Sequence, residues 1–271
     1  MGGPPGAVVG SQPNLPPAYT GRVAQKAALI TGVGRTVGIG AGIARALAAD
    51  GWNLALSYWH PYDERVNATP APGAGLEELA AELQESGSRV LLLPANLEDP
   101  AVPDKLIQDA GVLGPLTGLV LSHTESVDSS ILDTTVESFD RHFVVNVRAS
   151  WQLIRAFALQ CPDDGGAIVA LTSDHTAFNL PYGASKGALD RIAIAAAREL
   201  GDRNISSNAL NPGPVDTGWM SVELRTALTE RQPTGRLGTP RDVAAVVAFL
   251  LSEPGRWVSG QLLKADGGFS A

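Results

Sequence analysis

Tyr182 and Lys186, in the run Tyr182-Gly183-Ala184-Ser185-Lys186, stand four positions apart. On a helix that spacing puts a phenol and an ammonium one above the other on a single face. A lysine cation beside a phenol stabilises phenolate and lowers the tyrosine pKa from its ordinary value of about 10. The phenol can then give a proton to a carbonyl oxygen or take one from an alcohol. Ser173 lies at the end of the preceding apolar run, where its hydroxyl can hydrogen-bond the same oxygen as charge develops there. Asn146 can hold a water that relays protons through Lys186. A plainer reading stands beside each. Tyr-x-x-x-Lys pairs are common on helix surfaces, and an Asn inside a helix often only satisfies a backbone carbonyl.

Such a site needs a scaffold, and the stretch Ala27 to Ala48 shows which one. Ala27 to Ile30 is a short apolar run that suits a buried strand, Thr31-Gly32 opens a turn carrying Gly32, Gly34, Gly38 and Gly40, and Ile43, Ala44, Leu47 and Ala48 share one helical face. Glycines between a strand's carboxyl end and a helix's amino end let backbone approach an anion closely, where free N–H groups and the helix dipole attract phosphate. By itself the turn is also compatible with an ordinary tight strand-to-helix connection.

Strands and helices then alternate to the end. Strands are expected at Trp52 to Tyr58, Val90 to Leu93, Leu116 to Ser122, Ala167 to Leu171, Ile205 to Leu210 and Gln261 to Ala265. Helices are expected from Leu76 to near Gly87, from a cap at Asp99-Pro100, from Thr135 through Phe143 and on from Val144 to Leu159, from Tyr182 to Leu200, and after Thr239-Pro240. Residues 66 to 75 read as a loop. This alternation predicts a Rossmann-like, doubly wound α/β fold: a mainly parallel seven-stranded sheet with helices on both faces. Ligands of such sheets bind outside the strands' carboxyl ends, where the glycine turn, Ser173 and Asn211-Pro212-Gly213 all open.

Composition narrows the ligand. With a net charge of -8 the chain offers no basic stripe for nucleic acid or anionic membrane, so a small molecule is the better default. Cys161 is the only cysteine, which excludes an intramolecular disulfide and gives no sign of an oxidising compartment. No apolar run is long enough to span a bilayer, and a soluble, cytoplasmic protein is expected. Residues 1 to 22, rich in Pro and Gly, read as a flexible tail, and residues 23 to 271 as one dinucleotide-binding catalytic domain. No His/Cys/carboxylate cluster suggests a metal. His175, Asp174, Glu125 and Asp128 read as loop residues, solvated or locally hydrogen-bonded.

The end of the second strand bears on the cofactor. An NAD-preferring fold places an acidic side chain there for the adenosine ribose hydroxyls, whereas this chain has Ser57-Tyr58-Trp59. Without a carboxylate to repel a 2′-phosphate, and with Arg35 in the glycine turn and Arg65 beyond the strand, NADP is favoured over NAD. Asp63 or Glu64 folding back would restore an acid.

Thr31-Gly32 to Gly40, Asn146, Ser173, Tyr182 with Lys186, Asn211-Pro212-Gly213 and Asp266-Gly267-Gly268, in this order, closely resemble the short-chain dehydrogenase/reductase family over about residues 24 to 271. The segments GRLGTPRDVAAVVAFLLSE and VSGQLLKADGG look most like its 3-oxoacyl-acyl-carrier-protein reductases. The resemblance implies Tyr182 as acid/base, Lys186 holding the nicotinamide ribose, Ser173 orienting the carbonyl and Asn146 anchoring a relay water. It sets Gly32, Gly34, Arg35, Gly38, Ile39, Gly40, Ser57, Ser122 and His123 along the cofactor, with Asn96 and Leu97 at the adenine. Pro212, Gly213, Val215 and Thr217 fall at the nicotinamide and pyrophosphate. It further implies an NADPH-dependent enzyme reducing a ketone, with a 3-oxoacyl thioester on CoA or a carrier protein as one candidate, and a homodimer or homotetramer. Residues Gly218 to Arg231 look like a substrate lid.

Three departures accompany the resemblance. Five residues rather than three separate Gly32 from Gly38, Leu121-Ser122-His123-Thr124 replaces the family's Asn-Asn-Ala-Gly, and Ser173 precedes Tyr182 by only nine positions. Enoyl-thioester reduction fits less well, since that branch separates Tyr and Lys by six residues and three separate them here. The reading from a different class is a cofactor-binding sensor or scaffold with little turnover.

Overall fold

The structure, a computed structural model, describes residues 25–66 and 75–271. The expected tail and most of the loop at 66 to 75 lie outside the described residues. A seven-stranded sheet in the order β3-β2-β1-β4-β5-β6-β7 forms the centre. Its strands are β1 (Ala27–Ile30), β2 (Asn53–Tyr58), β3 (Val90–Pro94), β4 (Leu116–Leu121), β5 (Gly166–Leu171), β6 (Ile205–Asn211) and β7 (Leu262–Lys264). Every neighbouring pair is parallel. The sheet is therefore parallel throughout, a Rossmann-like architecture.

Helices cover both faces: α1 (Ile39–Ala49), α2 (His60–Arg65), α3 (Leu76–Glu85), α4 (Val102–Ala110), α5 (Val136–His142), α6 (Ala149–Gln160), α7 (Leu180–Glu199), α8 (Val222–Arg231) and α9 (Pro240–Leu251). Consecutive strand residues alternate between two cores. Ala27 and Leu29 of β1 pack with α4, α6 and α7 residues, while Ala28 and Ile30 pack with those of α1, α3 and α9. A strand buried on both sides must be apolar at every position, which is why these strands read as continuous runs. Each fully buried Leu or Ile adds about 2 kcal/mol, so the sheet and the edge it presents are held firmly.

Local chemistry sets the helix starts. The Thr239 hydroxyl accepts from the Asp242 N–H while the Asp242 carboxylate accepts from the Thr239 N–H, a capping box with Pro240 in the first turn. Thr135 caps α5 by accepting from the Ser138 N–H. Two expectations are corrected, and one element is added. The helix expected from Asp99-Pro100 begins at Val102, because the Asp99 side chain accepts from the Ala101 N–H and closes a turn first. Between β2 and the expected loop at 66 to 75 stands a short helix, α2, where no element was expected and whose Pro61 sits where a first-turn N–H is dispensable. The long helix around Asn146 is interrupted by a π turn over Phe143–Arg148.

Candidate active site

The glycine turn is fixed from three sides. Gly32 has φ of 75°, and a Cβ there would lie 2.6 Å from the main chain of His123, so only glycine lets β1 leave the sheet so close to the end of β4. The Val33 N–H donates to the Ser57 carbonyl of β2 at 2.8 Å. The Thr31 hydroxyl accepts from the N–H groups of Ser122 and His123. Gly38 is the N-cap of α1, without a side-chain cap and with no acidic residue in the first turn. Free amide donors at the start of an eleven-residue helix, beside a surface bare of Cβ atoms, fit the pyrophosphate of a dinucleotide.

At the other end of the same edge, Lys186 is 3% exposed, donates from Nζ to the Leu171 carbonyl at 2.9 Å, and lies 5.7 Å from the Tyr182 ring centre. The ordering of pKa values differs from the simple expectation. Burial pushes the Lys186 ammonium down to about 8, with Asp190 one helical turn on opposing the shift. Burial pushes the Tyr182 phenol up, a hydrogen bond from Ser173 pulls it partly back, and Asp174 pushes it up again. In this dry site desolvation is the largest influence on both groups: it shifts each toward its neutral form, leaving Tyr182 protonated and Lys186 still mostly charged at pH 7.

Only Thr172 separates Ser173 from the end of β5, and the short loop beyond Ser173 folds tightly onto α7. The His175 carbonyl occupies the space that a Cβ on Gly183 would need, and the His175 ring meets the Tyr182 ring edge-on at 6.5 Å. Gly183 is thus what allows nine residues to bring Ser173 to the phenol. Nothing in the sequence marks it beyond its place next to Tyr182.

Asn146 is fully buried in the π turn, and its side chain is engaged on three sides. Its Oδ1 accepts from the Glu125 N–H at 2.7 Å, and Nδ2 donates to the Glu125 carbonyl and to Ser185 Oγ, both at 2.9 Å. Both amide protons are taken, so the side chain braces the loop after β4 against α7, with one Oδ1 lone pair left for a water. Glu125 is not solvated as expected. It is 3% exposed and accepts from Arg65 at 2.6 Å. The Arg65 guanidinium, read as a candidate phosphate contact, is held by that carboxylate instead.

His123 is also buried, and its tautomer follows from its partners. Nε2 faces the Val145 carbonyl at 3.1 Å, which can only accept, so Nε2 carries the proton and Nδ1 accepts from the Thr31 hydroxyl at 2.7 Å. Burial and the nearby Lys186 charge push its pKa down to about 3, keeping the ring neutral. His123 thus ties the glycine turn to the π turn, a role that spacing could not have revealed.

The remaining expected residues line the same edge. Asn211 ends β6, its Oδ1 accepting from the Gly213 N–H while Nδ2 is buried with no partner among the described residues. Gly213 has φ of 62°, and a Cβ there would collide with Asp266, which relates the Asn211-Pro212-Gly213 and Asp266-Gly267-Gly268 motifs physically. Val215 and Thr217 are buried just beyond. Asn96 and Leu97 follow β3, where Asn96 Oδ1 accepts from the Glu98 N–H. Ser57 is 1% exposed and acts through its main chain. Arg35 stands in the glycine turn. The segment read as a lid holds α8, none of whose residues is buried, with Trp219 exposed and Met220 buried at its base.

A family model described as enoyl-(acyl carrier protein) reductase matches residues 32–270. Versicolorin reductase 1 of Aspergillus parasiticus is 32% identical over 269 residues, covering 91% of this chain and 97% of that protein. The blue fluorescent protein from a metagenomic library, solved with NADPH, superposes with a TM-score of 0.77 at 35% identity, over 91% of this chain and 98% of the other. A short-chain dehydrogenase of Burkholderia cenocepacia solved with NADP gives 0.79 at 32%, over 92% and 99%. The fold and these relatives are those of a family of oxidoreductases. The chain belongs to the short-chain dehydrogenase/reductase family.

Proposed function

We propose that the protein is an NADPH-dependent carbonyl reductase that converts a ketone to an alcohol. One observation carries the reading: Tyr182 over Lys186, with Ser173 beside them, shares a sheet edge with an uncapped glycine turn that fits a pyrophosphate. A bound reduced nicotinamide would supply a hydride, with its electron pair, to the carbonyl carbon. Tyr182 gives its Oη proton to the carbonyl oxygen, and Ser173 donates a hydrogen bond to that oxygen as it becomes negative. Lys186, with a pKa of about 8, can return a proton to the phenolate and close the cycle. In the reverse direction the same groups oxidise an alcohol.

The raised phenol pKa supports the reductive direction, because a neutral Tyr182 is the form that donates. Reduction of an enoyl thioester, which the family model's description names, is the less suited reaction, since Tyr182 and Lys186 lie on one helix face four residues apart. NADP is supported by the two relatives solved with NADP(H), by Arg35 and by the lack of an acid at Ser57-Tyr58-Trp59. Leu132, Val136, Phe139 and Trp151, exposed along and before α5 and α6, support association of this face with a second copy in a homodimer or homotetramer. Light scattering tests that assembly.

The enzymatic reading is tested by following NADPH fluorescence on titration and NADPH consumption on simple ketones and acetoacetyl thioesters, with Tyr182→Phe in parallel. Binding by both proteins with turnover only in the unmodified one supports it. Binding without turnover on any carbonyl favours the sensor reading.

A further inference from the structure

The connection between β2 and α3 runs from Trp59 to Gly75, 17 residues where such connections are usually about 2–6. Its described part does not trail away from the sheet. Because β2, β1 and β4 are adjacent, α2 reaches from the end of β2 across the end of β1 to the loop after β4. Arg65 pins it there through its 2.6 Å contact with Glu125, whose own main chain is bracketed by Asn146. Tyr62 packs under the same guanidinium, 5.6 Å from its ring centre.

This path presses Asp63 onto the glycine turn. The side chain is 7% exposed, and its Oδ2 fills the space a Cβ on Gly34 would need, so glycine at that position is what admits the carboxylate. Burial raises its pKa, countered by the charges of Arg35 and His60. Among the described residues this carboxylate has no hydrogen-bond donor. In dinucleotide folds the adenosine ribose hangs at the corner between the first turn and the end of the second strand, the corner that Asp63 occupies from an unexpected element.

We propose, resting on the nicotinamide reading above, that Asp63 is the selectivity-determining residue of the cofactor site: its carboxylate accepts from the ribose hydroxyls of NAD(H) and opposes the 2′-phosphate of NADP(H). Arg35, in the glycine turn and close enough for its charge to act on Asp63, acts in the opposite sense on the phosphate. The absence of an acid at the end of β2 therefore does not make the site free of one. Asp63 thus limits the preference for the phosphorylated form that Arg35 favours.

The test is the ratio of dissociation constants for NADH and NADPH, measured by fluorescence titration without substrate for the unmodified protein, Asp63→Asn and Arg35→Ala. Asp63→Asn keeps the shape of the side chain and removes the charge facing the phosphate, so the ratio should move roughly tenfold or more toward NADPH. Arg35→Ala should move it the other way. Damage to the fold would weaken both cofactors together and leave the ratio unchanged, so the ratio isolates the selectivity role. Tight binding with a ratio in Asp63→Asn within twofold of the unmodified value overturns the assignment of Asp63 and leaves the nicotinamide reading standing. Failure of both dinucleotides to bind any of the three proteins overturns both.

Discussion

Lys186 should make the cofactor-free protein more stable as pH rises above 8. Its folded pKa of about 8 lies below the ordinary lysine value of 10.5, so the unfolded chain holds this proton more tightly than the folded one. Stability rises with pH wherever the unfolded state binds more protons, so the penalty is fully present below pH 8 and is relieved between 8 and 10.5. The displacement corresponds to about 3 kcal/mol at pH 7, of which about 2 kcal/mol is recovered by pH 9.5. Lys186→Met removes the titrating group while filling a similar volume. The Leu171 carbonyl loses its donor in that variant, but this loss does not depend on pH and cancels when two pH values are compared. Urea unfolding of both proteins at pH 7 and 9.5, at one protein concentration, gives the difference of differences. The lysine protein should gain about 2 kcal/mol more than the methionine protein over that interval. Stopping at 9.5 keeps Tyr182, whose phenol is pushed above 10, out of the comparison. Parallel stability profiles would refute the claim that Lys186 is desolvated.

Tyr182→Phe should retain NADPH binding within a few fold and lose about a thousandfold or more in turnover, because only the proton donor is removed. Gly183→Ala should push the His175 carbonyl and the loop behind Ser173 off α7, lowering kcat with little change in NADPH affinity in fluorescence titrations. Gly32→Ala combines an unfavourable positive φ with a clash against His123, and should cost about 3 kcal/mol in urea unfolding as well as cofactor affinity. Arg65→Met strands the buried Glu125 carboxylate and should destabilise by about 2 kcal/mol, less than a fully buried pair because the guanidinium is partly exposed. A matching loss in Glu125→Gln, without a further loss in the double variant, would show that the two act as a pair.

Much of the molecule was legible because its signals are local. Continuous apolar runs such as Ala27–Ile30 and Gly166–Leu171 are strands buried on both faces, and Thr239-Pro240 with Asp242 writes a helix start in three residues. The order of motifs placed the glycine turn, Ser173, Tyr182 and Lys186 on one edge, since parallel strands all point their carboxyl ends the same way. Other features were illegible for an equally physical reason. The π turn around Asn146 keeps helical periodicity, so pattern alone shows no break. Glu125 looks like any polar loop residue until Arg65, 60 positions earlier, arrives to neutralise it.

The sequence by itself determined the sheet, the helices that cover it, the edge on which the candidate site residues meet and the types of residue that stand there, because periodicity, caps and strand polarity are properties of neighbouring residues. Only the tertiary structure decided the state of those residues: Tyr182 and Lys186 both tuned toward neutrality, His123 locked as a neutral brace, Asn146 engaged with Glu125, and Asp63 turned back onto Gly34. Desolvation and partnership depend on which distant segments close over a group, and no local pattern encodes which segments those are.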